Sequence, residues 1–400
     1  MDTAIAITEG SYWVGVNDRE TDLFESIWPL PRGVSYNSYV ITGDHPVIID
    51  TVKRTAFDTY LPKIQDLLEG RAPEYLVINH LEPDHSGSIR LLRQVFPDLT
   101  LIGNKKTAEF LGHLYAITEG VQAVEDGEEL DLGDRTLRFV LTPMVHWPET
   151  MMTYDVDHQT LYSGDAFGGF GALDGGVFDD EVDVAYFDDE ILRYFSNIVG
   201  KYCKLVQRAL GKLEGTDVSV VAPTHGPVWR HNPAHIIGLY DRWSRHEAEE
   251  GVVLAYASMY GNSTKMMEAV ARGLSDEGLC CVRVHDVSRT HVSFIIRDAW
   301  RYKGLILGSP TYDTMLFPPM QHLVDLLEEK RLRNRLLGIF GTYGWSGGAV
   351  ETLTKFAESA RYDVVEPVVE ARFSPKADDV GQCHALGRAM ARAVRGDASA

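Results

Sequence analysis

Apolar and polar positions along this chain follow two regimes. Up to about residue 248, short β-rich runs at residues 35–42, 46–52, 75–78, 99–102, 136–141, 160–162 and 218–222 interleave with helical spacings, such as Phe57, Leu61, Ile64 and Leu68. Gly43-Asp44-His45, between the first two runs, is a hairpin signal. Strand and helix interleave without a strict repeat, which predicts an α/β sandwich with helices outside two sheets. From residue 252 the alternation becomes regular, with apolar strands at 252–257, 281–285, 304–308, 336–341 and from 362. That pattern predicts a doubly wound parallel sheet, which binds ligands at the carboxyl ends of its strands. A charged stretch, Glu247-Ala248-Glu249-Glu250-Gly251, closes a helix over 236–245 and reads as a linker. The expected domains are therefore 1–248 and 249–400, in keeping with a length of 400 residues, too great for one ordinary core.

Composition narrows the function classes. A formal net charge of −20 argues against nucleic acid and anionic membrane surfaces as partners. No apolar run is long enough to span a bilayer, and Met1-Asp2-Thr3-Ala4-Ile5 has neither the basic nor the apolar part of a signal peptide. Cys203, Cys280, Cys281 and Cys383 form no Cys-x-x-Cys pair, so they read as reduced thiols in a reducing, cytoplasmic setting and exclude a fused rubredoxin-type iron site.

The densest chemistry follows the run at 75–78: Asn79-His80-Leu81-Glu82-Pro83-Asp84-His85-Ser86-Gly87-Ser88. Pro83 argues against a regular helix through its middle, so the segment reads as a loop leaving a buried strand. His80, Glu82 and Asp84 alternate, and an extended backbone would send all three to one side, with His85 joining after a turn at 86–88. Such a set suits two metal ions better than one. Further ligand types stand where later strands meet Gly/Pro-rich loops: His146 in Val145-His146-Trp147-Pro148, Asp165 in Gly164-Asp165-Ala166-Phe167-Gly168, and His225 in Thr224-His225-Gly226-Pro227. Each alone is an ordinary turn residue; together they repeat one placement. Asp165, with two oxygens, is the natural bridge. His45, His113, His158, His231, His235 and His246 read as turn or polar-face residues. The acidic stretch 168–189 reads as a loop at the metal mouth, and Tyr194 fits core packing as well as a hydrogen bond near the site.

In the second half, Ser258-Met259-Tyr260-Gly261-Asn262-Ser263-Thr264 opens a helix over 265–274. It lacks both Gly-x-Gly-x-x-Gly and the Walker lysine, yet its backbone N–H groups and hydroxyls suit a dianionic phosphate. Two later loops, Pro310-Thr311-Tyr312-Asp313-Thr314 and Tyr343-Gly344-Trp345-Ser346-Gly347-Gly348, set Tyr312 and Trp345 beside small residues, as a grip on a flat ring requires.

The first half resembles the metallo-β-lactamase superfamily over roughly residues 33–231, with one departure. Where its hydrolases usually carry His-x-His-x-Asp-His, this chain has Glu82. A carboxylate there hardens the site and moves its preference from zinc toward iron or manganese. The second half resembles flavodoxin, which implies FMN, with Ser258 to Ser263 on the phosphate and residues 310–314 and 343–348 on the isoalloxazine ring. Both halves in this order resemble the flavodiiron proteins of the minimal two-domain class. That resemblance implies a non-haem diiron site, with His80, Glu82 and His146 on one iron, Asp84, His225 and His85 on the other, and Asp165 bridging. It implies reduction of dioxygen to water or of nitric oxide to nitrous oxide; two ferrous ions and a reduced FMN together hold the four electrons that dioxygen takes. It also implies an electron donor such as rubredoxin or a reduced deazaflavin coenzyme. A head-to-tail homodimer, or dimer of dimers, would set the FMN of one subunit over the irons of the other, with Trp147 and Trp345 at the contact. Two rival readings stand beside it: a binuclear zinc hydrolase with an appended flavodoxin domain, against which Glu82 stands, and a non-catalytic electron carrier whose amino-terminal module has lost its metals, against which the seven candidate ligands stand.

Overall fold

The computed structural model describes residues 4–396; residues 1–3, part of the amino-terminal stretch read above, and 397–400 lie outside the described residues. The chain forms two compact units. One holds the chain up to Phe195 together with Tyr202–Asp241, and the other holds Ser196–Lys201 and the chain from Arg242. No helix among the described residues is long and apolar enough to cross a membrane.

The first unit contains two main sheets. The larger runs, edge to edge, through Ile5–Thr8, Ser11–Trp13, Tyr39–Ile41, Val47–Ile49, Tyr75–Val77, Thr100–Gly103 and Val121–Ala123. The other runs through Glu129–Asp131, Thr136–Leu141, Met151–Asp155, Thr160–Gly164 and Val220–Pro223. The inner strands Tyr39–Ile41, Val47–Ile49, Met151–Asp155 and Thr160–Gly164 are buried at every position, so both faces of each sheet are covered. Helix Phe57–Leu68 turns Tyr60, Ile64 and Leu68 inward, one stripe at the spacing of a helix packed on a sheet.

Three expectations for this unit are corrected. The run at 35–42 is two strands, Val34–Tyr36 and Tyr39–Ile41, because Asn37 leaves the ladder. Its side-chain amide donates to Pro223 O and Gly226 O at 2.9 and 2.8 Å, tying the break to the loop that carries His225. The stretch 168–189 is not all loop: Asp183 caps helix Val184–Tyr194 by accepting from Tyr186 N, and the helix takes residues 184–189 of it. Pro83 does not prevent a helix; it stands at the first position of the one-turn helix Pro83–Ser86, where its missing N–H costs nothing.

The second unit is a parallel sheet in the order Val282–Asp286, Glu249–Tyr256, Tyr302–Tyr312, Leu336–Tyr343, Asp363–Arg372, which is the flavodoxin-like winding. Glu249 and Glu250 begin its second strand in that order rather than forming a free linker. Helices Asn262–Asp276 and Ala377–Arg395 cover one face and bury Met266, Val270, Leu274, Leu386 and Met390. They approach closely because Gly273 and Gly387 leave room for the other's backbone: a Cβ on Gly387 would lie 2.1 Å from Val270 O, and one on Gly273 2.1 Å from His384 O. The fold class read from the alternation pattern, a metallo-β-lactamase-like sandwich followed by a flavodoxin-like sheet, holds for both units.

Candidate metal centre and flavin cleft

The loop after strand Tyr75–Val77 is tied down before its ligand-type residues begin. Buried Asp50, whose backbone is left-handed at φ 51, accepts from Asn79 N at 2.8 Å, Asn79 Nδ2 at 2.9 Å and His80 N at 3.3 Å. Asn79 Oδ1 accepts from Thr153 Oγ1 at 2.7 Å, so the loop start is pinned to both sheets. The helix turn at Pro83 then decides which side chains meet. His80, Glu82, His146 and Asp165 offer donor atoms within 4.8 Å of one another, and so do Asp84, His85 and His225. The alternation argument is therefore corrected: Asp84 does not share a side with His80 and Glu82 but turns, with His85, toward His225.

Asp165 stands between the two groups. Its Oδ2 lies 3.0 Å from His146 Nε2 and 3.5 Å from His80 Nε2. Its Oδ1 lies 2.9 Å from His85 Nε2 and 3.8 Å from His225 Nε2. Thr224 Oγ1 donates to Oδ1 at 2.5 Å and Tyr194 OH to Oδ2 at 2.9 Å, so each oxygen is aimed by its own donor. Tyr194 thus does what both readings of it allowed: it is fully buried, and it hydrogen-bonds into the site. His225 Nδ1 donates to Ser35 O at 2.7 Å; a carbonyl only accepts, so a hydrogen is on Nδ1 and Nε2 is the nitrogen turned toward the centre. The rings of Phe24, Tyr36 and Tyr194 stand around His225 at centroid distances of 5.4, 5.7 and 5.6 Å, and Trp147 stands edge-on to His80 at 5.1 Å.

The electrostatics call for cations. Burial alone would keep His146 neutral, yet Asp165 and Glu82 outweigh it and lift its pKa to about 9. Burial is likewise overcome at His85, which Asp84 and Asp165 raise to about 9. At Glu82 burial is outweighed by hydrogen bonds from His146 and His80, which hold its carboxyl far below the usual range. Both oxygens of Asp84 are buried and accept no hydrogen bond. A packed set of imidazole nitrogens and carboxylate oxygens with unsatisfied acceptors, and no thiolate, fits two hard or borderline metal ions.

In the second unit a cleft of about 580 Å³ opens at the carboxyl ends of the strands. Of the residues expected there, Met259, Tyr260, Asn262, Pro310 to Thr314 and Tyr343 to Ser346 line it. Ser258, Gly261, Ser263, Gly347 and Gly348 do not; they shape the loops behind it. Ser258 Oγ accepts from Gly261 N at 3.1 Å, and Gly261, at φ 87, turns the chain into helix Asn262–Asp276. Buried Ser263 is bonded to Thr342 Oγ1 at 3.1 Å. A Cβ on Gly348 would lie 2.0 Å from Thr314 O, so a glycine there lets two cleft loops touch. Asp313 and Thr314 both have positive φ in a two-residue hairpin that pairs Tyr312 with Met315, strain placed at the ligand's edge. The helix start at Asn262, hydroxyl-bearing loops and flat aromatic walls fit a phosphate-bearing ring such as FMN.

Sequence reasoning missed Asp50, Glu149 and Thr224 beside the metal centre, and Thr342 and Phe373 in the flavin cleft. Thr224 immediately precedes His225, Thr342 precedes the aromatic loop and Glu149 follows His146-Trp147-Pro148; no such neighbour marks Asp50 or Phe373.

Comparison with known proteins agrees with this architecture. The family model described as ODP family beta lactamase matches residues 34–226, and the flavodoxin family model matches residues 254–386. The nitric oxide reductase of Moorella thermoacetica is 31% identical over 98% of this chain and 100% of its own length. Among solved structures, the rubredoxin oxygen:oxidoreductase of Desulfovibrio gigas superposes with a TM-score of 0.93 at 27% identity, covering 100% of both chains. The flavodiiron protein of Giardia intestinalis gives a TM-score of 0.93 at 26% identity over 99% of this chain and 97% of its own. This chain belongs to the flavodiiron protein family and is an oxidoreductase.

Proposed function

We propose that the chain reduces nitric oxide to nitrous oxide and dioxygen to water at a non-haem diiron centre fed by FMN. In this reading His80, Glu82 and His146 hold one iron, Asp84, His85 and His225 hold the other, and Asp165 bridges them. The observation that carries it is the disposition of Asp165, whose two oxygens face different donor groups at 3.0 and 2.9 Å. When bound, the irons supply Lewis acidity and electrons, and the flavin resupplies those electrons.

The protein's own groups have definable tasks. Tyr194 keeps its hydrogen: burial, then the charges of Asp165, Glu82 and Asp84, hold its pKa well above the ordinary value, so it stays a donor to Asp165. Thr224 fixes the other oxygen, and the aromatic ring set around His225 and His80 keeps bulk water from the centre. The relatives' names carry both gases, nitric oxide in Moorella thermoacetica and oxygen in Desulfovibrio gigas. A rubredoxin or a reduced deazaflavin coenzyme is the proposed donor and the cytoplasm the proposed location.

A head-to-tail homodimer, alone or paired as a dimer of dimers, completes the reading. Support comes from the exposed aromatic lining of the flavin cleft, where Tyr260 and Trp345 are 92% and 88% exposed. Anaerobic rapid mixing of the fully reduced, iron- and FMN-loaded protein with each gas tests the proposal. Flavin reoxidation within the mixing experiment, with nitrous oxide or water as product, is expected; slow reoxidation by both gases would dismiss it. The zinc-hydrolase alternative is disfavoured by Glu82, an oxygen donor where a third imidazole would suit zinc.

A further inference from the structure

We propose that Glu149 makes the two metal positions unequal, so that the position built on His80 binds its ion first and more tightly than the position built on His85. The inference rests on the diiron reading above and deepens it, assigning a role to a residue outside the ligand set.

Glu149 is fully buried. Its Oε1 accepts from His80 Nδ1 at 2.8 Å and from Leu81 N at 3.0 Å. Its main-chain carbonyl accepts from Asn104 Nδ2 at 2.6 Å, and Asn104 is itself held as the cap of helix Lys105–Tyr115. The carboxylate is thus fixed in place through both its side chain and its main chain. Its second oxygen, Oε2, is buried and has no hydrogen-bond partner, so its charge is not spread over other donors. A carboxylate on the distal nitrogen of a ligating imidazole fixes the tautomer, aims the ring and makes the near nitrogen a stronger base.

Among the described residues no carboxylate stands on the distal nitrogen of either histidine at the other position; buried Asp50 acts on His85 only through space and accepts from Asn79 and His80 N–H groups. His225 Nδ1 meets a neutral carbonyl, Ser35 O, which selects the tautomer but adds no charge. His85 Nδ1 is buried without a partner, so the ring is held only from its Nε2 side, 2.9 Å from Asp165 Oδ1. One group of donors therefore has a carboxylate bonded to the distal nitrogen of an imidazole, while the other has an imidazole that is only half anchored. Glu149 acts through His80 and is a positioning residue.

The test is an anaerobic calorimetric titration of the iron-depleted, FMN-loaded full chain with ferrous iron. Two resolved steps are expected. Glu149→Gln keeps an acceptor oxygen for Leu81 N while removing the charge, and should weaken the tighter step by about 10- to 100-fold while leaving the weaker one in place. His85→Ala should weaken only the second step, which keeps the inference testable should the Glu149 variant fail to fold. The inference is overturned if Glu149→Gln leaves both steps unchanged or weakens them equally, as a purely structural role would, or if His85→Ala weakens the tighter step. Failure of the parent protein to bind two ferrous ions at all would instead overturn the diiron reading.

Discussion

Tyr194 donates its hydroxyl hydrogen to Asp165 Oδ2 across 2.9 Å, and its ring stands 5.6 Å from that of His225. One side chain therefore touches the carboxylate that spans both donor groups and packs on a ligand of one of them. Replacing it by Phe keeps the ring and deletes the donor, leaving Asp165 with Thr224 as its hydroxyl partner. The variant should fold and retain FMN, lose about 1–2 kcal/mol of stability in the metal-free state, and turn over gas about 10-fold more slowly or worse. Denaturant unfolding and rapid mixing measure the two effects.

Trp345 is 88% exposed at the mouth of the flavin cleft, a position without a packing role in the isolated chain. Its value lies in covering a bound ring. Trp345→Ala should weaken FMN binding by about 1–2 kcal/mol, roughly 10-fold, with unchanged unfolding of the flavin-free protein. Fluorescence quenching during FMN titration of stripped protein reads the difference.

Gly387 gives the opposite lesson about a helix. Alanine is favoured over glycine inside a helix by about 1 kcal/mol. Here the added Cβ would lie 2.1 Å from Val270 O, a backbone atom that cannot swing aside. Gly387→Ala should therefore destabilise the flavin-binding unit by about 2–3 kcal/mol despite its better propensity. Urea unfolding followed by flavin release reports it.

His246, outside the candidate ligand set, contributes its own pH dependence. Burial, then the charges of Arg335 and Arg333, depress its pKa to about 4 from an ordinary 6.5. Between those values the unfolded chain binds the proton and the folded one does not, so stability falls as pH drops through this window and is unaffected above it. The loss is ~2 kcal/mol by pH 5 and ~3 kcal/mol at its limit. His246→Phe keeps an aromatic ring near Trp300, 5.4 Å away, and should flatten the difference in unfolding free energy between pH 7 and pH 5.

Much of this was legible in the chain because ligand-type residues sit where apolar strands meet Gly/Pro-rich loops, a juxtaposition the sequence displays directly. The aromatic loops around Tyr312 and Trp345 were legible for the same reason. What escaped depends on distant partners. Glu149 is one carboxylate among many until the fold sets it 2.8 Å from His80 Nδ1. Asp50 follows an unremarkable apolar strand, and Phe373 lies beyond a strand whose polar, half-exposed middle hides its extent to Arg372. Pro83 misled because the same ring that breaks a helix interior begins one, and that choice moved Asp84 from one donor group to the other. Edge strands such as Glu129–Asp131 carry no apolar alternation and are made by pairing alone.

Elemental analysis with flavin quantitation on anaerobically prepared protein tests the central claim most directly. Two irons and one FMN per chain are predicted, with the irons lost together when Asp165 is replaced by Ala while the FMN remains. Two zinc ions per chain, or FMN with no metal in a preparation that still consumes gas, would contradict it.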